Sequence, residues 1–440
     1  MQVSKSELIW RVFIVAFWVR AMWGYTVEVI VPPLRDLEPM MMLAFDAVMV
    51  LLGLITMRRR TDVLYAIAFV AVAFVITCVF NDYSFTFYLN GLRDFIGYIF
   101  LVPIFHYFQA TPERHDTMRR RFDRHLWVFL IIQAVCVTHQ FLVFGAGDHG
   151  GGSLGNYNSG VITTLIYLIS FHLALPRMRG RSYLAGLWHN RWLLFLLFPT
   201  FLNETKVSFV FLAMYLLLLL PMDRRIFART LAAIPLVVLF LVMAMIGYVK
   251  STGDDVKDIF NPEFYTEKYL LNDESEQYAK FLLEEDNGEI EDIPRFTKLL
   301  LIGDMSDEHP GHWLTGFGVG HFKGGTVTDQ SEFYKEYYWM LYGTVPYLLH
   351  MWVQLGVIGL LLMVVFFVIH MLPDRDGFRP DANITIYLIL LAIVILFYNE
   401  SWRNTFMFLI VDYVMIITRH PSPKVTPAEI KHSEPTPSPS

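Results

Sequence analysis

The sequence predicts an all-α polytopic membrane protein with about twelve transmembrane helices and a large, structured extracytoplasmic loop late in the chain. Three observations carry this. Of 440 residues, 55% are hydrophobic, 16% aromatic and only 17% charged, with a mean hydropathy of +0.44. Apolar runs approaching the ~20 residues needed to cross a bilayer recur along the chain. Basic residues gather in alternate loops between those runs, the pattern that sets membrane orientation.

The runs fall at roughly 8–24, 39–57, 63–80, 93–110, 126–145, 158–175, 187–202, 206–221, 229–249, 346–372, 384–399 and 403–418. With the N-terminus inside, the inner loops carry Arg58-Arg59-Arg60, Arg119-Arg120-Arg121, Arg177 with Arg179 and Arg181, Arg224-Arg225, and Arg375 with Arg379. The short outer loops carry only Arg35, Arg93, Lys206 and Arg403. Both termini are therefore expected in the cytoplasm. Cys78 and Cys136 sit inside apolar runs, which argues against a disulfide framework or a thiolate metal site.

The formal charge of −6 is uneven. Residues 249–342 hold 8 Lys/Arg against 20 Asp/Glu, so the long loop is acidic and nucleic acid is excluded as its partner. The domain reading is nine helices in 1–249, a loop domain in 250–345, three helices in 346–419, and a disordered, Pro- and Ser-rich cytoplasmic tail in 420–440.

Cations at the outer face are few, and each is a candidate. Lys206 sits with Glu204, Thr205 and Ser208 in a polar break between two apolar runs. It reads as an anion-binding group or as part of a capped hairpin with a local ion pair. Arg295 and Lys298 share one face of a segment that opens with Pro294, with Phe296 and Leu299 on another. Such a helix lies in the membrane interface, where its cations meet phosphate or anchor to bulk lipid. His350 lies one turn inside the run that begins at Pro346 and shares a face with Tyr347 and Gln354. It reads as a general base or as a buried histidine bonded to a neighbour.

Arg93, followed by Asp94, and Arg403, close to Glu400, are expected to be ion-paired locally and to border a substrate site. His321 and Glu336 in the loop are further candidates for substrate contact, and Glu332 or Glu336 for the acceptor proton. Tyr337 and Trp339 are candidates for stacking on sugar rings. The histidines at 309, 312 and 321 match no strong metal spacing, so no metal and no cofactor is assigned. Gly316-Phe317-Gly318-Val319-Gly320 lacks the strand–turn–helix setting of a phosphate loop and reads as a tight turn.

Four of these stretches, taken in order, resemble the bacterial O-antigen ligase/polymerase superfamily. They are Ser153-Leu154-Gly155-Asn156-Tyr157-Asn158 opening a mid-chain span, Thr205-Lys206-Val207-Ser208 in an outer break, Arg295 with the Gly316–Gly320 turn, and Leu355-Gly356-Val357-Ile358-Gly359. The resemblance covers residues 150–360. It implies a GT-C-like membrane glycosyltransferase in the bacterial inner membrane, with the large loop periplasmic. The donor would be an undecaprenyl-diphosphate-linked glycan and the acceptor a hydroxyl of a glycan or lipid. The transfer would invert the anomeric centre and need no metal.

Lys206 and Arg295 match positions where the family holds the diphosphate with arginines. Lysine at 206 keeps the charge and loses the bidentate fork. The ligases' histidine position falls here on Val345, and His350 comes five residues later. That departure favours a polymerase, or a divergent member using His350 instead, over a ligase joining the glycan to lipid A core or protein. A transporter of this size usually shows two related halves, and no repeat is visible.

Overall fold

The computed structural model describes residues 4–145, 150–156, 158–202, 207–220, 295–321, 331–337, 345–371, 378–379 and 381–421. The expected ninth span at 229–249, the acidic first half of the loop and the tail beyond 421 lie outside the described residues.

The described residues are almost wholly helical. Among the described residues, six helices are long and apolar enough to cross a membrane: Lys5–Ile30, Pro32–Thr56, Arg60–Phe80, Pro112–Phe144, Ser159–Met178 and Tyr347–Met371. Shorter apolar helices accompany them, among them Val207–Leu218, Ala382–Tyr398 and Thr405–Ile417, with an interrupted apolar stretch at Arg191–Leu202. Their starts follow local capping chemistry. Ser4 Oγ accepts from the Glu7 amide, Asp381 caps Ala382–Tyr398, and Asn404 accepts from the Phe406 and Met407 amides. Each cap satisfies donors that have no intrahelical partner.

At the centre stand Val102–Gln109 and Thr405–Ile417, every residue of which is buried, together with most of Ser159–Met178. The peripheral helices instead turn residues such as Leu8, Leu51, Leu64 and Val135 outward. Apolar side chains on the outside of an all-helical bundle suit a hydrocarbon surround. Asp123 is held in the bundle by His172 Nε2 at 2.7 Å and the Tyr413 hydroxyl at 2.6 Å.

Two expected spans differ in form. The 187–202 run is broken into Tyr183–His189, Arg191–Phe195 and Pro199–Leu202. The Asn190 side chain and amide bond back to Gly186 and close the first piece, and Pro199 supplies no amide for continuation. The 93–110 run changes pitch instead, from a 3-10 turn at Arg93–Phe95 through a wide turn at Gly97–Leu101 to an α-helix at Val102–Gln109. Pro103 cannot donate to the carbonyl four residues earlier, and a wide turn absorbs the mismatch. The tail also differs at its start: His420–Pro421 pairs antiparallel with Phe378–Arg379 rather than beginning a disordered segment.

The described part of the long loop folds onto the helix Tyr347–Met371. Met305, Phe317, Phe333 and Tyr337 from the loop cluster with Val345, Leu349, Trp352 and Val353. This second core lies beside the main one and fixes the loop over the start of the returning helix.

Candidate functional site

The site is built around a break in the returning helix. Gly356 has φ 57° and ψ −152° inside Tyr347–Met371, a conformation costly for any residue with a Cβ. The glycine turn of the loop docks there. The Phe317 amide donates to the Val353 carbonyl at 2.7 Å and the Gly318 amide to the Gln354 carbonyl at 3.0 Å. The Val319 amide donates to Thr77 Oγ1 at 2.9 Å, and the Gly320 amide to Gln354 Oε1 at 2.7 Å. Four successive amides are thus committed inside the protein. A phosphate-binding loop needs such donors turned toward a ligand, so this turn is a joint.

That joint orients the candidate base. A backbone amide can only donate, so the Gln354 atom facing Gly320 is its oxygen. Its nitrogen therefore faces His350 and donates to Nε2 at 2.6 Å. His350 Nε2 is then a lone-pair acceptor, and the neutral ring carries its proton on Nδ1. Tyr347 stacks on the ring with centroids 5.5 Å apart, and His350 is fully buried.

Asp94 is the second member. Its Oδ2 lies 3.7 Å from His350 Nε2 and also 3.7 Å from Arg403 Nε. Arg403 pairs in turn with Glu400, three residues before it. Side-chain exposure rises from 0% at His350 to 9% at Asp94, 25% at Arg403 and 38% at Glu400. The four form a row that leads outward from a buried imidazole to the Glu400 carboxylate, with the Arg403 guanidinium between the two carboxylates. His350 Nε2, whose lone pair the Gln354 amide takes, lies beside the Asp94 carboxylate, and an anion approaching from outside meets Arg403 next to its partner Glu400.

The other predicted residues are placed differently. Arg93 pairs with Asp46 through Nε and Nη2 at 3.1 and 3.0 Å, not with its neighbour Asp94. Asp46 also accepts from Thr405 at 2.9 Å, so Arg93 ties three helices together. Lys298 is fully buried rather than presented to headgroups. It shares the i, i+4, i+7 stripe of Ile302 and Met305, which packs into the second core. His321 is also fully buried. Its Nε2 donates to the Phe317 carbonyl at 2.7 Å, and its Nδ1 accepts from Ser331 Oγ at 2.9 Å.

Burial pushes the His321 ring down to about 4, against the opposing pull of the Phe317 carbonyl. His321 thus closes the turn from within and has no ring atom left for substrate. Tyr337, expected to stack on sugar, gives its hydroxyl to Glu308 at 3.0 Å. The turn at Gly152–Asn156 is another joint: Glu28 accepts from the Asn156 amide at 2.8 and 2.7 Å, and Gln133 and Gln140 accept from the Ser153 and Gly152 amides.

Arg295 and Glu336 lie in the helices Arg295–Glu308 and Glu332–Tyr337, but their side chains, with that of Glu332, are outside the described ones. Glu204, Lys206 and Trp339 lie outside the described residues. Sequence reasoning used Asp94 only as a local partner for Arg93. Its signal was position: a carboxylate at the very start of an apolar run.

Among the described side chains of ligand type, the loop histidines join no carboxylate cluster. Asp62, His106 and His370 are grouped instead, which no spacing in the sequence reveals. No protein-family model matches the chain, and no curated protein is significantly similar to it.

Proposed function

We propose that the chain is a membrane glycosyltransferase of the O-antigen or exopolysaccharide polymerase type, acting at the periplasmic face of a bacterial inner membrane. The observation that carries the reading is the row His350–Asp94–Arg403 at the loop-covered end of the bundle. In this reading the remaining runs complete about twelve spans, both termini are cytoplasmic and the long loop is periplasmic.

The acceptor hydroxyl approaches Asp94. Its proton passes to the Asp94 carboxylate; the Gln354 amide donates to His350 Nε2 and must withdraw before that nitrogen shares the proton. The acceptor oxygen forms the new bond to the anomeric carbon as the bond to the carrier diphosphate breaks. The diphosphate leaves with its negative charge, and Arg403, with Arg295 and Lys206, neutralises it. Preorganised cations at a developing charge are a large source of rate. The docked loop and the buried base exclude water, which would otherwise hydrolyse the donor.

The test is the lipid-linked glycan profile of a deletion strain complemented with wild type or with Asp94→Asn, His350→Ala or Arg403→Ala, each checked for membrane insertion. Long chains with wild type and single repeat units with the variants support the reading. Long chains accumulating on the carrier instead would assign a ligase, and unchanged profiles in all three variants overturn the site.

A further inference from the structure

We infer that Asp62, His106 and His370 bind a transition-metal ion of the zinc class at the end of the bundle opposite His350. His350 lies before the Gly356 break in Tyr347–Met371, and His370 lies 14 residues beyond it, about 21 Å further along the helix at a rise of ~1.5 Å per residue. The metal site is therefore separate from the glycan-transfer site.

The three residues come from the first turn of Arg60–Phe74, the last turn of Val102–Gln109 and the last turn of Tyr347–Met371. Each offers one ligating atom, and those atoms lie within 4.8 Å of one another. All three residues are 3–5% exposed. The His106 and His370 ring centroids are 5.6 Å apart. Two imidazoles sharing one ion at ~2.0–2.1 Å place their centroids about 5 Å apart, so the pair is close to a ligating distance.

A second observation is independent of the clustering. Asp62 Oδ2 and His106 Nδ1 face each other at 2.8 Å. The remaining polar atoms of that pair, Asp62 Oδ1 and His106 Nε2, are buried without a hydrogen-bond partner among the described residues. Protein interiors seldom leave such atoms unmet. The His370 ring is also held in place, with Phe366 and Tyr65 centroids at 4.8 and 6.4 Å. Fixed rings lower the ordering cost of ligation.

Arg59 and Arg419 stand within electrostatic reach of His106 and His370. Their charge opposes any cation here, zinc included; magnesium and calcium, which need oxygen ligands, are further disfavoured by a cluster with one carboxylate. Two imidazoles and one carboxylate instead suit zinc, cobalt or nickel, whose affinity rests on nitrogen donors. The bound ion would clamp three helix ends that are distant in sequence.

The experiment uses the full chain in detergent, purified on a tag without histidines. Elemental analysis is expected to find stoichiometric zinc in the wild type and background metal in His106→Gln and His370→Gln. Stripped wild-type protein is then titrated with cobalt(II) alone, a readout that needs no variant. The expected result is a saturable visible absorption band, competed away by zinc. Absence of both zinc and the cobalt band in the wild type overturns the site, as does a band of undiminished intensity in the double His106→Gln/His370→Gln variant.

Discussion

Gly316 and Gly356 meet backbone to backbone. A Cβ on Gly316 would lie 2.6 Å from the Leu355 nitrogen, and one on Gly356 would lie 2.6 Å from the Gly316 nitrogen. Both residues have positive φ. Neither neighbour is a side chain that can swing away. Gly316→Ala or Gly356→Ala is expected to destabilise the docked loop by about 1–3 kcal/mol or more. Limited proteolysis across 295–337 and thermal unfolding in detergent read the effect. Wild-type protease resistance in both variants contradicts the joint.

Gln354 serves two partners, so its loss should cost more than a surface amide. Gln354→Leu leaves the buried Gly320 amide without an acceptor and is expected to destabilise by about 1–3 kcal/mol. It also removes the donor that sets the His350 tautomer. Glycan extension should fall further in Gln354→Leu than in Gln354→Glu, which keeps the acceptor for Gly320. Equal activity in the two variants argues against a role for this amide.

His321 makes loop docking sensitive to acid. Burial holds its ring near 4 in the folded state, below the ~6.5 of an unfolded histidine. Between those values the unfolded loop binds the extra proton, so stability rises with pH there. It is complete above about pH 6.5 and falls as pH drops toward 4, by at most about 3 kcal/mol. Hydrogen-exchange protection factors at 312–321, corrected for the slower intrinsic exchange in acid, should fall from pH 7 to 4.5 in the wild type. His321→Asn should flatten that dependence; an identical slope in both proteins assigns it to another group.

The proposed chemistry predicts a graded loss of rate. Asp94→Asn and His350→Ala remove the proton acceptor and its support, a change worth about 10²–10⁴-fold in general-base catalysis. Arg403→Lys keeps the charge and should retain more extension activity than Arg403→Ala. Initial rates of chain extension on a lipid-linked donor compare them. Parity of the lysine and alanine variants would remove Arg403 from the diphosphate contact.

The membrane-type helices are legible in the sequence because hydropathy is a property of a run, independent of what packs beside it. The Gly316–Gly320 turn was legible as a turn for a similar reason: glycine spacing signals backbone geometry locally. Pairing was not. Arg93 reaches Asp46 on another helix although Asp94 adjoins it in sequence, because side chains of successive helical residues point apart. Lys298 faces the interior because the core-facing stripe of its helix is set by Met305 and Ile302, and a stripe can be read only once its partner surface is known. The Asp94–His350 approach joins helices separated by most of the chain, so no spacing encodes it. The 187–202 run is legible as apolar, but its break is not, because hydropathy does not register the bonds from Asn190 back to Gly186 that end its first piece.

The amide of Gly320 has one further consequence. An undocked loop leaves the Gln354 side chain free to rotate, and either of its ends could then face His350. The histidine would hold its proton on one nitrogen in some molecules and on the other in the rest. Docking removes that choice, because a single backbone donor 34 residues away dictates which end of the amide points inward. Completion of the loop and definition of the proton's position are one event in the maturation of the chain. On the proposed chemistry, a half-folded protein would hold its candidate base in two proton arrangements rather than one.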